Sequence, residues 1–130
     1  MKANELMIGD WIYNKVADIT FQVYPQFFSQ WRNRSEQFEA TIQPIPLTPK
    51  ILEKNGFKEY GESWYLPDDD VIVTVGFFMY KTTIHVKRGD DIFQKEVRCS
   101  YRACTENRGV HVHTLQHALR LCGIDKEIEL

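Results

Sequence analysis

The sequence predicts an α+β fold in which an antiparallel β meander packs with two short α-helices. Three observations point there. "LTPKILEKNGF" is punctuated as a helix, the stretch from "SWYL" to "IFQKEVRCSY" reads as successive strands joined by turns, and "HTLQHALRLCG" repeats its apolar residues with the helical period. The 130 residues suit a single domain spanning 1–130, because two would each fall near the size at which a core becomes marginal. With 43% hydrophobic and 13% aromatic residues the chain is too apolar for disorder, and its 26% charged residues, of both signs, make an ordinary solvated surface.

In chain order, "DWIYN" and "ITFQVY" read as paired short strands about a turn at residues 15–18. Residues 25–40 fit two descriptions: Phe27, Phe28 and Trp31 have the spacing of one helical face, while the intervening Ser and Asn suit an irregular loop equally well. Pro44 and Pro46 then force extended backbone. Thr48 can cap, Pro49 suits a first helical position and Gly56 can close the helix in a left-handed conformation, which predicts a helix over residues 49–55. Ile51 and Leu52 should face inward, with Phe57 folded back over the last turn. Next comes the meander: "SWYL", the turn Pro67-Asp68-Asp69-Asp70, "VIVTVGFFMY", "TTIHVKR", the turn Gly89-Asp90-Asp91 and "IFQKEVRCSY". Thr82, Ile84 and Val86 alternate with Thr83, His85 and Lys87, as in an antiparallel sheet with one wet side. "YRACTENRG" connects to a helix over residues 114–122, whose Leu115, Ala118, Leu119 and Cys122 form the inward stripe and whose exit is Gly123. The closing "EIEL" suggests an edge strand.

A formal net charge of −2 leaves no global positive field to gather phosphates, although a local basic face stays open. The longest apolar run, residues 71–80, is half what a bilayer requires, and no charged-then-apolar leader opens the chain. A cytoplasmic protein with no membrane association is expected. Cys99, Cys104 and Cys122 make an odd count without a C-x-x-C pair, so reduced thiols are expected rather than a disulfide framework or zinc ribbon. Asn33-Arg34-Ser35 and Arg88-Gly89-Asp90 match short glycosylation and integrin-type patterns, but both presuppose an extracellular protein.

Three constellations are candidates for chemistry. His111, His113 and His117 follow H-x-H-x-x-x-H spacing. Residues i and i+2 share a face in extended backbone and residues i and i+4 share one in a helix, so a strand-to-helix junction would bring all three together. Three imidazoles with an open position could hold a zinc-like ion and activate water. Against that, no Glu or Asp stands in the segment as ligand or base, and His117 lies off the apolar stripe and is expected to face water. The residues therefore predict no metal and no cofactor. Asp68, Asp69 and Asp70 lack the spacing of a calcium loop and read as a solvated turn. Trp31 beside Arg32 and Arg34 is the type of cluster that stacks bases and contacts phosphate in single-strand binders, yet Phe27, Phe28, Trp31 and Phe38 serve a hydrophobic face equally well. No catalytic triad, phosphate-binding loop or dinucleotide-binding glycine pattern is present.

Four blocks carry a resemblance: "MKANELMIGDWIY", "IQPIPLTPKILEKNGF", "WYLPDDDVIV" and "VHVHTLQHALRLCGIDKEIEL". In order and spacing they resemble a family of small uncharacterised proteins encoded by gut Bacteroidetes and their phages and mobile elements, with the poorest match at residues 25–40 and 88–109. The family's closing block looks like V-H-x-L-Q-N before an apolar helix and Gly, which maps onto Val112, His113, Leu115, Gln116 and Gly123. At positions 111 and 117 it usually carries other residue types, a departure from a three-histidine site. Asp10 stands where the relatives have Asn. No activity comes with the resemblance, and the expectation is a non-enzymatic accessory or interaction protein of a phage or mobile element, with a protein partner. The rival expectations are a metal-dependent hydrolase centred on His113 and a single-stranded nucleic-acid-binding module using Trp31, Arg32 and Arg34.

Overall fold

The computed structural model describes residues 1–67, 72–78, 81–98 and 110–130. They form helices and two antiparallel sheets, an α+β fold. Where length alone favours one core, they gather into two compact units, Met1–Ile45 and Pro46–Leu130. Pro44 and Pro46 flank the boundary, where the missing N–H groups remove donors that would carry strand pairing onward.

The first unit contains β1 (Trp11–Asn14), β2 (Ile19–Gln22), α1 (Phe27–Asn33), α2 (Ser35–Thr41) and β3 (Ile42–Pro44), with sheet order β2-β1-β3. The expected hairpin is present, with Trp11 opposite Gln22 and Asn14 opposite Ile19. Its turn is organised by side chains that imitate backbone. Asn14 Oδ1 accepts the N–H groups of Val16 and Ala17, each at 3.0 Å, and Asp18 adopts a left-handed φ of 55°. The Tyr13 hydroxyl donates to Asp18 Oδ1 at 2.7 Å, and that bond holds the phenol above its usual pKa. At the entry to β1, buried Asp10 accepts the Met7 N–H at 2.7 Å while its carbonyl accepts the Val23 N–H at 2.8 Å. Residues 25–40, open to two readings in sequence, fold as two helices broken at Arg34, whose φ of −140° and ψ of 42° are not helical. Phe27 and Trp31 turn inward to join Leu6, Ile12, Val23 and Ile42.

The second unit opens with α3 (Pro49–Lys54), and its punctuation works as expected. Thr48 Oγ1 accepts the Ile51 N–H at 3.3 Å, Gly56 exits with φ 86°, and the Phe57 N–H returns to the Leu52 carbonyl at 3.0 Å. Leu52 and Phe57 are buried, whereas Ile51 is only half-buried. Thr48→Ala should lower stability by about 1 kcal/mol, read as a shift of the urea midpoint, because the first turn loses its side-chain acceptor.

A meander follows: β4 (Lys58–Tyr60), β5 (Ser63–Leu66), β6 (Ile72–Phe78), β7 (Lys81–Arg88) and β8 (Asp91–Arg98), each strand paired antiparallel with its sequence neighbour. β4 was not anticipated. In register, Val73 and Val75 oppose Val86 and Ile84, and all four are fully buried. The last helix, α4 (Val112–Leu121), starts two residues earlier than its stripe suggested and packs against β7 and β8. Its Leu115, Ala118 and Leu119 are buried, and the thiol of Cys122 contacts the Val86 carbonyl at 3.7 Å. Arg88, at the β7–β8 turn, donates to the carbonyl of Gly123 just beyond α4, where a helix end favours a cation.

"EIEL" does not form the expected strand. Ile128 is buried, and the next residue is gripped by a side chain instead of a ladder. Asn55 Nδ2 donates to the carbonyls of Ile51 at 2.8 Å and Glu129 at 2.7 Å, while Oδ1 accepts the Glu129 N–H at 2.7 Å. One amide thus serves both backbone groups of Glu129. No helix among the described residues is long and apolar enough to cross a membrane. The Asp68-Asp69-Asp70 turn, Cys99, Cys104 and the whole "YRACTENRG" connection lie outside the described residues.

Candidate functional site

The strand-to-helix junction does gather the three histidines. His111 is extended (φ −112°, ψ 160°), forms an isolated antiparallel bridge with Pro46 and occupies the N-cap of α4, while His113 and His117 follow on the helix. The rings of His111 and His113 stack with centroids 5.5 Å apart and planes 9° from parallel. His113 and His117 meet edge to face, also at 5.5 Å. His113 is the inner member, only 6% exposed, with the other two half-buried. The expectation that His117 faces water is therefore corrected: its contact with His113 draws it onto the junction.

Proximity of rings is not a coordination site. Among the described residues, no group of three or more His, Cys, Asp or Glu side chains is placed to hold a metal ion. The arrangement is that of an aromatic stack built on imidazoles, with apolar Val110, Val112 and Leu115 buried around it in sequence. Elemental analysis of the purified chain tests the expectation of no stoichiometric zinc, nickel or iron, and one chelatable ion per chain would contradict it. His113→Ala should cost about 1–3 kcal/mol, because it removes a buried ring that contacts both His111 and His117. His111→Ala and His117→Ala should each cost less, about 0.5–1 kcal/mol, the scale of one aromatic pair. Equal effects at all three positions would be wrong for this geometry.

Trp31, Arg32 and Arg34 are separated by burial. The arginines are exposed, but Trp31 lies in the first unit's core, with its ring 5.5 Å from Phe27 and 5.5 Å from Phe38. A base-stacking platform must present a free ring face, and this indole is only 4% exposed.

The sequence reading did not single out the outer face of the five-stranded sheet. Because directly opposed residues share a face, Tyr60, Tyr65, Ile72 and Ile92 lie on the side away from Val73, Val75, Ile84 and Val86. They are 80%, 43%, 55% and 55% exposed. Between them run Tyr65, Thr74, His85 and Gln94 in one cross-strand row, and Ile72, Lys87 and Ile92 in the next. Such a face can bury tyrosine rings and aliphatic side chains against another surface, with the polar rows supplying hydrogen bonds. The period-two alternation that marked one wet side was the available signal. On β7 the outward residues of that alternation, Thr83, His85 and Lys87, are polar.

The chain matches no protein-family model, no curated protein and no solved structure.

Proposed function

We propose that this protein is a non-enzymatic accessory module of phage or mobile-element type, working in the cytoplasm and binding a protein partner through the outer face of its five-stranded sheet. The observation that carries the reading is the exposure of Tyr60, Tyr65, Ile72 and Ile92 on one face. Tyrosine couples a large apolar ring to a polar tip and is enriched at protein interfaces, whereas an isolated exposed aliphatic residue means little. Four such side chains share one sheet surface, with Lys87 between Ile72 and Ile92. The resemblance of the opening, middle and closing sequence blocks to small proteins of Bacteroidetes and their mobile elements is what suggests the phage or mobile-element type.

The test is site-specific photo-cross-linking in cells, with the reactive residue placed at Tyr65 or, as a control, at exposed Val16 of the first unit. A discrete protein adduct at position 65 alone is expected, abolished by the double variant Tyr60→Ala, Ile92→Asp. Both changes are at exposed positions and should alter stability by no more than about 0.5 kcal/mol each. Adducts identical at positions 65 and 16, or unaffected by the double variant, would count against the sheet face.

A further inference from the structure

The first unit holds a cavity of about 230 Å³ between the hairpin turn, β2 and α2. Its floor is fully buried Phe27, its walls are the half-buried rings of Phe21 and Phe38, and Tyr24 stands at its rim. The Phe21 and Phe38 rings lie 5.9 Å and 5.4 Å from that of Phe27. The cavity opens to solvent on one side, with Tyr24 and Gln37 exposed there. A unit of Met1–Ile45 is close to the size below which a core needs outside help, so burial of a further apolar group against these rings would add to its core.

The polar lining narrows the occupant. Asn14 Oδ1 is held by Val16 and Ala17, and the Thr41 hydroxyl donates to the Gln37 carbonyl at 2.9 Å. The side-chain amide of Gln37 is exposed and makes no hydrogen bond to any described residue, leaving a donor and an acceptor at the opening. No charged side chain is among the lining residues. A carboxylate or ammonium entering here would shed water without a counter-charge. An apolar cavity of about 150 Å³ accepts a benzene ring, so this one admits a single ring with a small substituent.

From ring geometry, volume and the Gln37 amide together, we infer that the first unit contains a binding site for a small uncharged aromatic molecule carrying a carbonyl or amide, with its ring against Phe21, Phe27 and Phe38 and its polar group on Gln37. The site is independent of the sheet face in the second unit.

Titration of the full chain, followed in amide ¹H–¹⁵N spectra, tests it with four probes: benzamide, toluene, benzoate and tetramethylammonium. Benzamide and toluene should give saturable shifts confined to residues 14–42, and the two ions should bind at least tenfold more weakly than benzamide. Gln37→Ala changes an exposed side chain and should leave the fold intact. It should weaken benzamide at least fivefold and toluene less than twofold. The inference is overturned if neither neutral probe saturates, if the shifts fall outside residues 14–42, if benzoate matches benzamide, or if Gln37→Ala affects both neutral probes equally.

Discussion

Truncating Phe27 to alanine should destabilise the first unit by about 3–5 kcal/mol, the range for removing a large aromatic side chain from a packed core. Phe27 is the hub of its cluster: its ring lies 5.9 Å from Phe21, 5.7 Å from Tyr24, 5.9 Å from Phe28, 5.5 Å from Trp31 and 5.4 Å from Phe38. No other ring could move in without surrendering its own partners. At the usual stability per residue, a segment of the size of Met1–Ile45 accounts for about 2–7 kcal/mol, so the loss is of the same order. Hydrogen exchange read by mass spectrometry is the measurement. Amides of β1 and α1 should lose protection in the variant, and unchanged protection there would show that the cluster does not hold the unit together.

Leu119→Ala should cost the second unit about 2–5 kcal/mol, seen as a lower urea midpoint. Leu119 is 1% exposed on the face of α4 that meets β7 and β8, and the rigid sheet beneath cannot collapse into the vacated space. Leu121, two residues further along the same helix, is 66% exposed. Leu121→Ala removes the same atoms from solvent contact, and its effect should stay within about 0.5 kcal/mol. Equal effects of the two truncations would mean that the helix faces another way.

The contrast between those leucines was legible in the sequence, because helical periodicity is a local property and Leu115, Ala118, Leu119 and Cys122 repeat it. So was α3, whose Thr48, Pro49 and Gly56 each act within their own turn. What escaped notice depends on partners distant in the chain or on weak local signals. β4 has three exposed residues and no apolar alternation to mark it, and exists because β5 offers it a ladder. "EIEL" has strand composition, but Asn55 satisfies the backbone of Glu129 before any strand does. The break between α1 and α2 at Arg34 has no proline or glycine behind it. The histidine junction was partly legible: spacing brought the three rings into contact, but convergence of donors on an ion is a matter of side-chain direction, which spacing does not determine. The outer sheet face needed the register of five strands before Tyr60, Tyr65, Ile72 and Ile92 could be placed on one side of the sheet.

The order β4-β5-β6-β7-β8 also has a kinetic meaning. Every strand pairs with the one before it, so the ladder can grow hairpin by hairpin, each step closing only a short loop at small entropic cost. The Asn55–Glu129 clamp is the opposite case, since it joins residues 74 positions apart and gains nothing until the intervening chain is in place. Asn55→Ala should therefore accelerate unfolding while leaving the refolding rate nearly unchanged, the pattern of a contact absent from the transition state. If so, the grip on Glu129 acts on how long the second unit stays folded, and the meander on how quickly it gets there.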